Sequence, residues 1–573
     1  RTKTYASVLR KKSQRLFPQP SHLELSQHMG QVLDMSSHFG GCDSTWNLVG
    51  PPNIFSLDED FTHVAVPRTC GSWRDRLSRW THGRCPKNPE WFKSQNFIVL
   101  LFDVPVFPTR VKVLGMYQPG CMVRILAKSW DEGEDSAVCR WRTLWSGPAD
   151  PNLPPNVFYE FSPPIHPPGF ATNVLRLEFS CSLNAYCLEL VDVVLYGIPV
   201  DIMQPKKSKN EDLAESERLR QRQNTMERSR RRDMVEHMEE ERRVDEEEEK
   251  LSPFTNNGYF DLLPFEIIEI ILSHLTLPEL CCLAQCSRTL RTLRNYCYNP
   301  SMYKHLDLKP FWPSLCEQDL LALKPRLTCA RSLGLSWTGN DGRFSTTWSE
   351  HLLHLELANC HWITNKSLES VTMLCPNLRD LDLSSCHRIP PRKFRQLSSL
   401  QRLQRLVLYR TRIDVSCLCR LCAFTLFLAS NCQQLRSLNM WGSIGLTEVG
   451  LAHLTSRCKD IEVLDLGWCT NVWTESGVLS DMLRELPRLR RLVLTGNLSI
   501  SDTDLEPLAN HCPLLEQLDI LGAPLVTHGG IFHLLDTCRH MCFLDVSFCF
   551  RVDEEMAFQL ANRFPHICIK YSS

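Results

Sequence analysis

Leu352-x-x-Leu355-x-Leu357-x-x-Cys360 sets a pattern that constrains this chain more than any other feature, because the chain goes on repeating it. It returns as Leu378, Leu381, Leu383, Cys386; as Leu403, Leu406, Leu408, Thr411; as Leu435, Leu438, Met440, Ser443; and as Ile461, Leu464, Leu466, Cys469. Three more copies follow: Leu489, Leu492, Leu494, Asn497; then Leu515, Leu518, Ile520, Ala523; then Met541, Leu544, Val546, Cys549. Successive middle residues lie 26, 25, 32, 26, 28, 26 and 26 positions apart, and a weaker unit at Leu333-Gly-Leu335 precedes them. The apolar-x-apolar core has the period of a strand, and the remainder of each unit has room for one helix. No single unit can bury its own apolar face, so the units must stack into a solenoid with a continuous core.

The spacing resembles the leucine-rich repeat. A second cysteine column, Cys375, Cys432, Cys458, Cys512 and Cys538, stands just before the next strand leucine, as in the cysteine-containing repeats of F-box proteins. Cysteines recurring about 26 residues apart are buried repeat positions rather than metal ligands. The long 32-residue step contains Cys417-Leu-Cys-Arg-Leu-Cys422, which reads as a helix with an irregular insertion, since no companion Cys or His cluster is near in sequence. Parallel strands put equivalent side chains into ladders on the concave wall. One ladder is Glu356, Asp382, Val407, Asn439, Asp465, Val493, Asp519 and Asp545; Tyr409 and Trp441 form the next row, with Trp468 and Phe548 beyond. Rings beside carboxylates suit a surface that reads a basic protein segment, so Asp382, Tyr409, Trp441, Asp465, Trp468, Asp519, Asp545 and Phe548 are candidate substrate contacts. The competing reading is that the acids hydrate the wall and cap local backbone.

Ahead of the repeats, Phe265, Ile267, Ile268, Ile270, Ile271, Leu272 and Leu275 cover roughly 220° of a helix wheel, whereas one core-facing side needs little more than about 100°. Something foreign must cover the surplus. Thr276-Leu-Pro-Glu279 announces a second helix by a capping box with proline in its first turn. Leu263-Pro264, Glu266, the Ile/Leu ladder to Leu275, Leu280, Leu283, Ala284 and Cys286 resemble an F-box. That resemblance implies a three-helix plug docking on the Skp adaptor of a cullin–RING ubiquitin ligase through Leu263, Pro264, Phe265, Glu266, Ile267, Ile270, Ile271, Leu275, Pro278 and Leu280. The family has one more residue before Cys286, so the third helix is expected to be rotated by about 100° after Ala284.

The first half reads as β. Phe97–Phe102, Arg110–Leu114, Cys121–Leu126, Cys139–Trp145, Val174–Phe179 and Leu188–Leu195 are β-rich and separated by Pro- or Gly-bearing turns. Short strands without helical spacers imply an antiparallel β-sandwich over 45–200, which resembles a discoidin-like (galactose-binding-like) jelly roll. Trp46, Asn47, Trp73 and Trp80 fall in its candidate ligand loops, and packing beneath neighbouring loops is the plainer reading for them. Residues 201–251 are crowded with Lys, Arg and Glu and form a linker; Arg230-Arg-Arg232 reads as solvated charge before it reads as a nuclear signal. Residues 1–44 form a basic segment with no acid before Glu24, open to reading as a targeting region or a basic tail. The F-box is assigned to 252–305 and the leucine-rich-repeat solenoid to 306–573.

Charge excludes some functions. The chain's 64 basic and 65 acidic residues leave no global field for nucleic acid or membrane, and no apolar run reaches the length of a membrane span. The 27 cysteines are odd in number and dispersed, which suits a reducing compartment. No nucleophile elbow, phosphate loop or His-Glu-x-x-His helix appears, so no catalysis, cofactor or metal is expected.

Sandwich, F-box and solenoid in this order resemble the mitochondrial F-box/leucine-rich-repeat family. The resemblance implies a substrate receptor of an SCF-type (Skp–cullin–F-box) ubiquitin ligase, promoting proteasomal turnover at the mitochondrial surface and limiting mitophagy through outer-membrane receptors. Cytoplasm and nucleus are the alternative location. The rival function is a non-ligase repeat scaffold with a glycan- or lipid-binding sandwich.

Overall fold

The computed structural model describes residues 24–36, 87, 94, 96–117, 121–130, 141–149, 159–180, 189–200, 262–286, 296–315, 317–338, 348–411, 431–443, 446–469, 472 and 477–571. Trp46, Asn47, Trp73, Trp80, the linker 201–251, the expected third F-box helix and the Cys417–Cys422 cluster lie outside them.

Eight described strands form the N-terminal antiparallel sheet: β1 (Leu25–His28), β2 (Gln31–Met35), β3 (Asn96–Tyr117), β4 (Met122–Lys128), β5 (Trp141–Ser146), β6 (Tyr159–Phe161), β7 (Thr172–Phe179) and β8 (Glu189–Pro199). The main path runs β1-β8-β3-β7-β4-β5, with β2 and β6 also on β3. Two segments that read as separate strands, 97–102 and 110–114, are one long strand. Its register shifts between Leu101 and Val106, so its first half pairs β7 and its second half pairs β8. Pro105 falls at this break and Pro108 at a further shift against β8, where a missing N–H costs the ladder least. The sheet thereby turns about a core that takes Ile98, Leu100 and Phe102 from one half of β3 and Val111 and Val113 from the other. A second correction concerns the boundary at residue 45. β1 pairs β8 and β2 pairs β3, so part of the basic segment is sheet.

The repeats stack as expected. Eleven short parallel strands run in sequence order among the described residues. Their middle residues are in register from Leu333, Leu355 and Leu381 through Leu518 and Leu544. The 32-residue step leaves the sheet intact, because Leu406 sits directly opposite Leu438. Two strands escaped the sequence pattern, His305–Asp307 at the start and Cys568–Lys570 at the end. On the other side of the sheet, helices such as Glu448–Arg457 and His528–Thr537 begin at Thr447 and Thr527, whose hydroxyls accept the amide three residues on.

Both cysteine columns are buried. The Cys360, Cys386, Cys469 and Cys549 thiols donate to carbonyls of the preceding repeat, at 3.0, 3.2, 3.1 and 3.4 Å. Burial pushes the thiols of Cys360 and Cys375 up to about 12, so they behave as small apolar residues at neutral pH.

Two further contacts complete the architecture. The F-box helices share one continuous core with the solenoid, through Ile268, Leu272, Leu277, Leu280 and Ala284 on to Leu306 and Leu333, and so close its open N-terminal end. The β domain meets the first repeats through Phe97, Val99 and Leu126 packed with Trp312 and Trp337. Further along, His361 Nε2 lies 3.2 Å from Asp34 Oδ2, and Arg410 donates to the Met35 carbonyl at 2.5 Å.

Candidate functional site

The helix α1 (Phe265–Ser273) starts after Pro264, whose φ of −55° and ψ of 148° are extended, and Glu266 sits in its first turn where the helix dipole favours an acid. Ile268 and Leu272, one turn apart, face the core, Leu272 with 1% of its surface left. Phe265, Ile267, Ile270 and Ile271 do not. They are exposed, Ile270 by 54%, and Leu262 and Leu263 extend the same apolar surface. Phe265 rests on Tyr296 with ring centroids 5.1 Å apart, which fixes one end of the patch.

The helix α2 (Leu277–Cys286) begins as its sequence foretells, with one difference. Glu279 Oε2 accepts from the Thr276 amide at 2.8 Å, but the Thr276 hydroxyl turns to that same carboxylate, at 2.7 Å, instead of capping the helix amide. The Thr276 amide and hydroxyl hold the Glu279 carboxyl below its ordinary value. Among the residues expected to touch an adaptor, Leu263, Pro264, Phe265, Glu266, Ile267, Ile270, Ile271 and Pro278 are exposed. Leu275 is half-buried against the core. Leu280 is fully buried among the solenoid leucines, so it supports the hairpin and presents no surface to a partner.

The concave wall departs further from expectation. Asp382, Asp465, Asp519 and Asp545 are buried, and each turns an Oδ1 back to the amide two residues on. Those amides belong to Ser384, Gly467, Leu521 and Ser547, at 2.8, 3.1, 3.1 and 2.9 Å. The ladder therefore holds the chain as it leaves each strand, an Asx turn repeated down the solenoid. Burial, added to by the neighbouring Asp519, pushes the Asp545 carboxyl up to about 6. Such a group is a poor reader of basic partners.

The aromatics divide. Tyr409 and Trp441 stack with centroids 4.7 Å apart and are both buried, Trp441 lying over Gly467, where any Cβ would collide with the indole. Trp468 and Phe548 are half-buried, and they are the members of the expected set that keep accessible surface on the wall.

Sequence reasoning missed the junction between the β domain and the solenoid. Glu178 accepts from Arg124 Nε at 2.7 Å, Arg176 Nε at 2.9 Å and the Trp312 indole N–H at 2.8 Å. The Arg176 guanidinium lies 3.6, 3.9 and 4.6 Å from the ring centres of Phe97, Trp312 and Trp337. Arg176 and Glu178 alternate with Leu175 and Leu177 on β7, which in sequence reads as an ordinary solvent-facing second face and gives no sign of the aromatic cover.

A helical hairpin rooted in the end of a repeat solenoid and turning isoleucines outward defines a class of chain: a repeat protein that carries its own docking module. Residues 260–293 match the F-box domain family. F-box/LRR-repeat protein 4 of Bos taurus is 37% identical over 605 residues, covering 96% of this chain and 92% of that protein. The chain belongs to the F-box/LRR-repeat protein family. Putative F-box/LRR-repeat protein 23 of Arabidopsis thaliana is 28% identical over 134 residues, covering 22% of this chain and 29% of its own length. The crystal structure of the Rad7 and Elc1 complex in yeast covers 50% of this chain and 91% of that one at 12% identity and a TM-score of 0.24, a likeness too remote to bear on function.

Proposed function

We propose that this chain is the substrate-recognition subunit of a cullin–RING ubiquitin ligase, with α1 and the start of α2 as the seat of a Skp-type adaptor. The observation that carries this reading is the exposed row Phe265, Ile267, Ile270 and Ile271 on a helix whose opposite side is already anchored by Ile268 and Leu272. Each such side chain gains about 1.5–3 kcal/mol on full burial, so a partner that covers the row binds with real affinity. The target-binding surface in this reading is the solenoid beyond Arg410, since the earlier wall contacts the β domain. Trp468 and Phe548 are its candidate contacts, and the buried acids of the ladder shape it. Chemistry is left to enzymes held near the bound target, which is catalysis by proximity. The resemblance of the whole layout to the mitochondrial family supports action at the mitochondrial surface and outer-membrane mitophagy receptors as targets.

The test is Ile270→Asp in the full chain. A carboxylate placed in a dry interface costs several kcal/mol unless paired, roughly a hundred-fold or more in affinity. Adaptor and cullin should copurify with the wild type and vanish with the variant, while circular dichroism and the melting curve stay unchanged because the side chain faces solvent. Wild-type protein that brings down neither component overturns the reading.

A further inference from the structure

Lys87 is 3% exposed and comes from the connection between β2 and β3, far in sequence from the F-box. Its ammonium donates to the Leu272 carbonyl at 2.8 Å and the Leu275 carbonyl at 3.0 Å, and its own carbonyl accepts from the Leu277 amide at 2.8 Å. One residue thus serves two helix ends. The Leu272 carbonyl, in the last turn of α1, also accepts from the Leu275 amide at 3.2 Å, and Leu275 lies just past the helix; Lys87 brings a cation to this end, where the dipole is negative and α1 has no basic residue in its last turn. The first amides of α2 have the opposite need, which the Lys87 carbonyl meets.

We propose that Lys87 is a positioning residue that locks the F-box hairpin to the β domain. The hairpin shares its core with the solenoid, and the solenoid is joined to the β domain through Trp312 and Glu178. Lys87 supplies the remaining side of that triangle. The orientation of the apolar row of α1 is then set by a buried contact rather than by the charged stretch 201–251 that connects the two units in sequence. For the ligase reading, on which only this consequence rests, the clamp fixes where a docked adaptor points relative to a target on the solenoid. Helices of 9 and 10 residues hold little order of their own, so the clamp also bears on the order of the docking face.

The experiment uses the full chain and its Lys87→Met and Lys87→Arg variants. Amine acetylation of the native wild type should modify Lys87 at least ten-fold more slowly than the exposed Lys366. Hydrogen exchange of peptides spanning 265–286 should quicken at least ten-fold in Lys87→Met, with the solenoid peptides unchanged, and should return toward wild type in Lys87→Arg, whose guanidinium can still donate to both carbonyls. Labelling of Lys87 as fast as Lys366 overturns the clamp even if Lys87→Met fails to fold, and wild-type exchange in Lys87→Met overturns it directly. Affinity for a purified Skp-type adaptor, measured on the same proteins, keeps the two ideas apart: a wild type that does not bind sinks the ligase reading and leaves the clamp standing.

Discussion

Replacing Glu178 by Gln tests whether the β domain and the solenoid are held by charge or only by shape. The carboxylate is fully buried between Arg124 and Arg176, each with 7% of its side chain exposed, and it also accepts the Trp312 N–H. Gln keeps the volume and one acceptor for the indole, but its amide group then faces guanidinium donors. Two buried cations lose their counter-charge. Breaking a buried pair from one side costs about 3–5 kcal/mol, far above the 0–1 kcal/mol of an exposed pair such as Lys112–Glu160, where the acid is 54% exposed. In the wild type burial already pulls the Arg176 guanidinium down to about 10 although Glu178 favours its charge, so losing that carboxylate disfavours the buried cation further. At about 1.36 kcal/mol per decade, the closed junction should be disfavoured by roughly two to nearly four powers of ten.

The assay is urea unfolding followed by tryptophan fluorescence, since Trp141, Trp312 and Trp337 all lie at the junction. Glu178→Gln should bring the earliest transition to lower urea by that amount, while Glu160→Gln moves it by less than about 1 kcal/mol. Acidity supplies a second arm. Burial would raise the Glu178 carboxyl, but the two guanidiniums outweigh it and hold it below the ordinary value. A depressed carboxylate stabilises the fold above its unfolded-state value and loses that contribution as pH falls through the folded-state one. The wild-type transition should therefore weaken in acid below the usual carboxylate range, and the variant should lack that component. Equal behaviour of Glu178→Gln and Glu160→Gln would refute the reasoning.

The wall yields two more expectations. Asp545 is raised to about 6 by burial, so its charge disfavours folding above that pH, and the penalty fades as pH falls toward the ordinary carboxylate value. Asp545→Asn, which copies Asn439 in an earlier repeat, should gain thermal stability relative to wild type as pH rises from the ordinary carboxylate value to about 6 and hold that gain above it; a gap independent of pH across that window would contradict this. Gly467→Ala forces the Trp441 indole off its seat and off Tyr409, a strain of about 1–3 kcal/mol by overpacking, and an unaltered melting temperature would show that the ring is not packed there.

What could be read from sequence was whatever repeats or stays local. The solenoid was legible because eight strand leucines recur at steps of 25 to 32 residues, four of them 26, and the F-box because its apolar arc is too wide for one buried side. The strands at Leu25–His28 and Gln31–Met35 were hidden because a basic stretch precedes them and their partners in β8 and β3 are far along the chain. The junction was hidden for the same reason, since Glu178 and Trp312 are 134 positions apart. The acids of the ladder were visible, yet their role turned on where each carboxylate bends. Asp followed by a free amide two residues later is a local signal for a turn, and it outweighs recognition here.

One column of the repeat shows how strain, as well as packing, is written in the sequence. Three residues after each ladder position the backbone takes a positive φ: 71° at Gly442, 71° at Gly496 and 74° at Gly522; 56° at Asn359, 57° at Ser385 and 52° at Arg410; 57° at Trp468 and 58° at Phe548; the preceding unit has 70° at Trp337. Glycine adopts this conformation freely, whereas a side chain with a Cβ costs about 1–2 kcal/mol. Aligned repeats with glycine in this column reveal the left-handed turn, and an aromatic in the same column then marks a place where the cost is offset by contact. Trp337 shows what that contact is, since its ring meets Phe97 at 5.1 Å, the Arg176 guanidinium at 4.6 Å and the Lys309 ammonium at 4.0 Å. The column therefore sorts the aromatics by mechanism: Tyr409 and Trp441, one position earlier, stack on each other inside the wall, while Trp337, Trp468 and Phe548 are set at a strained turn.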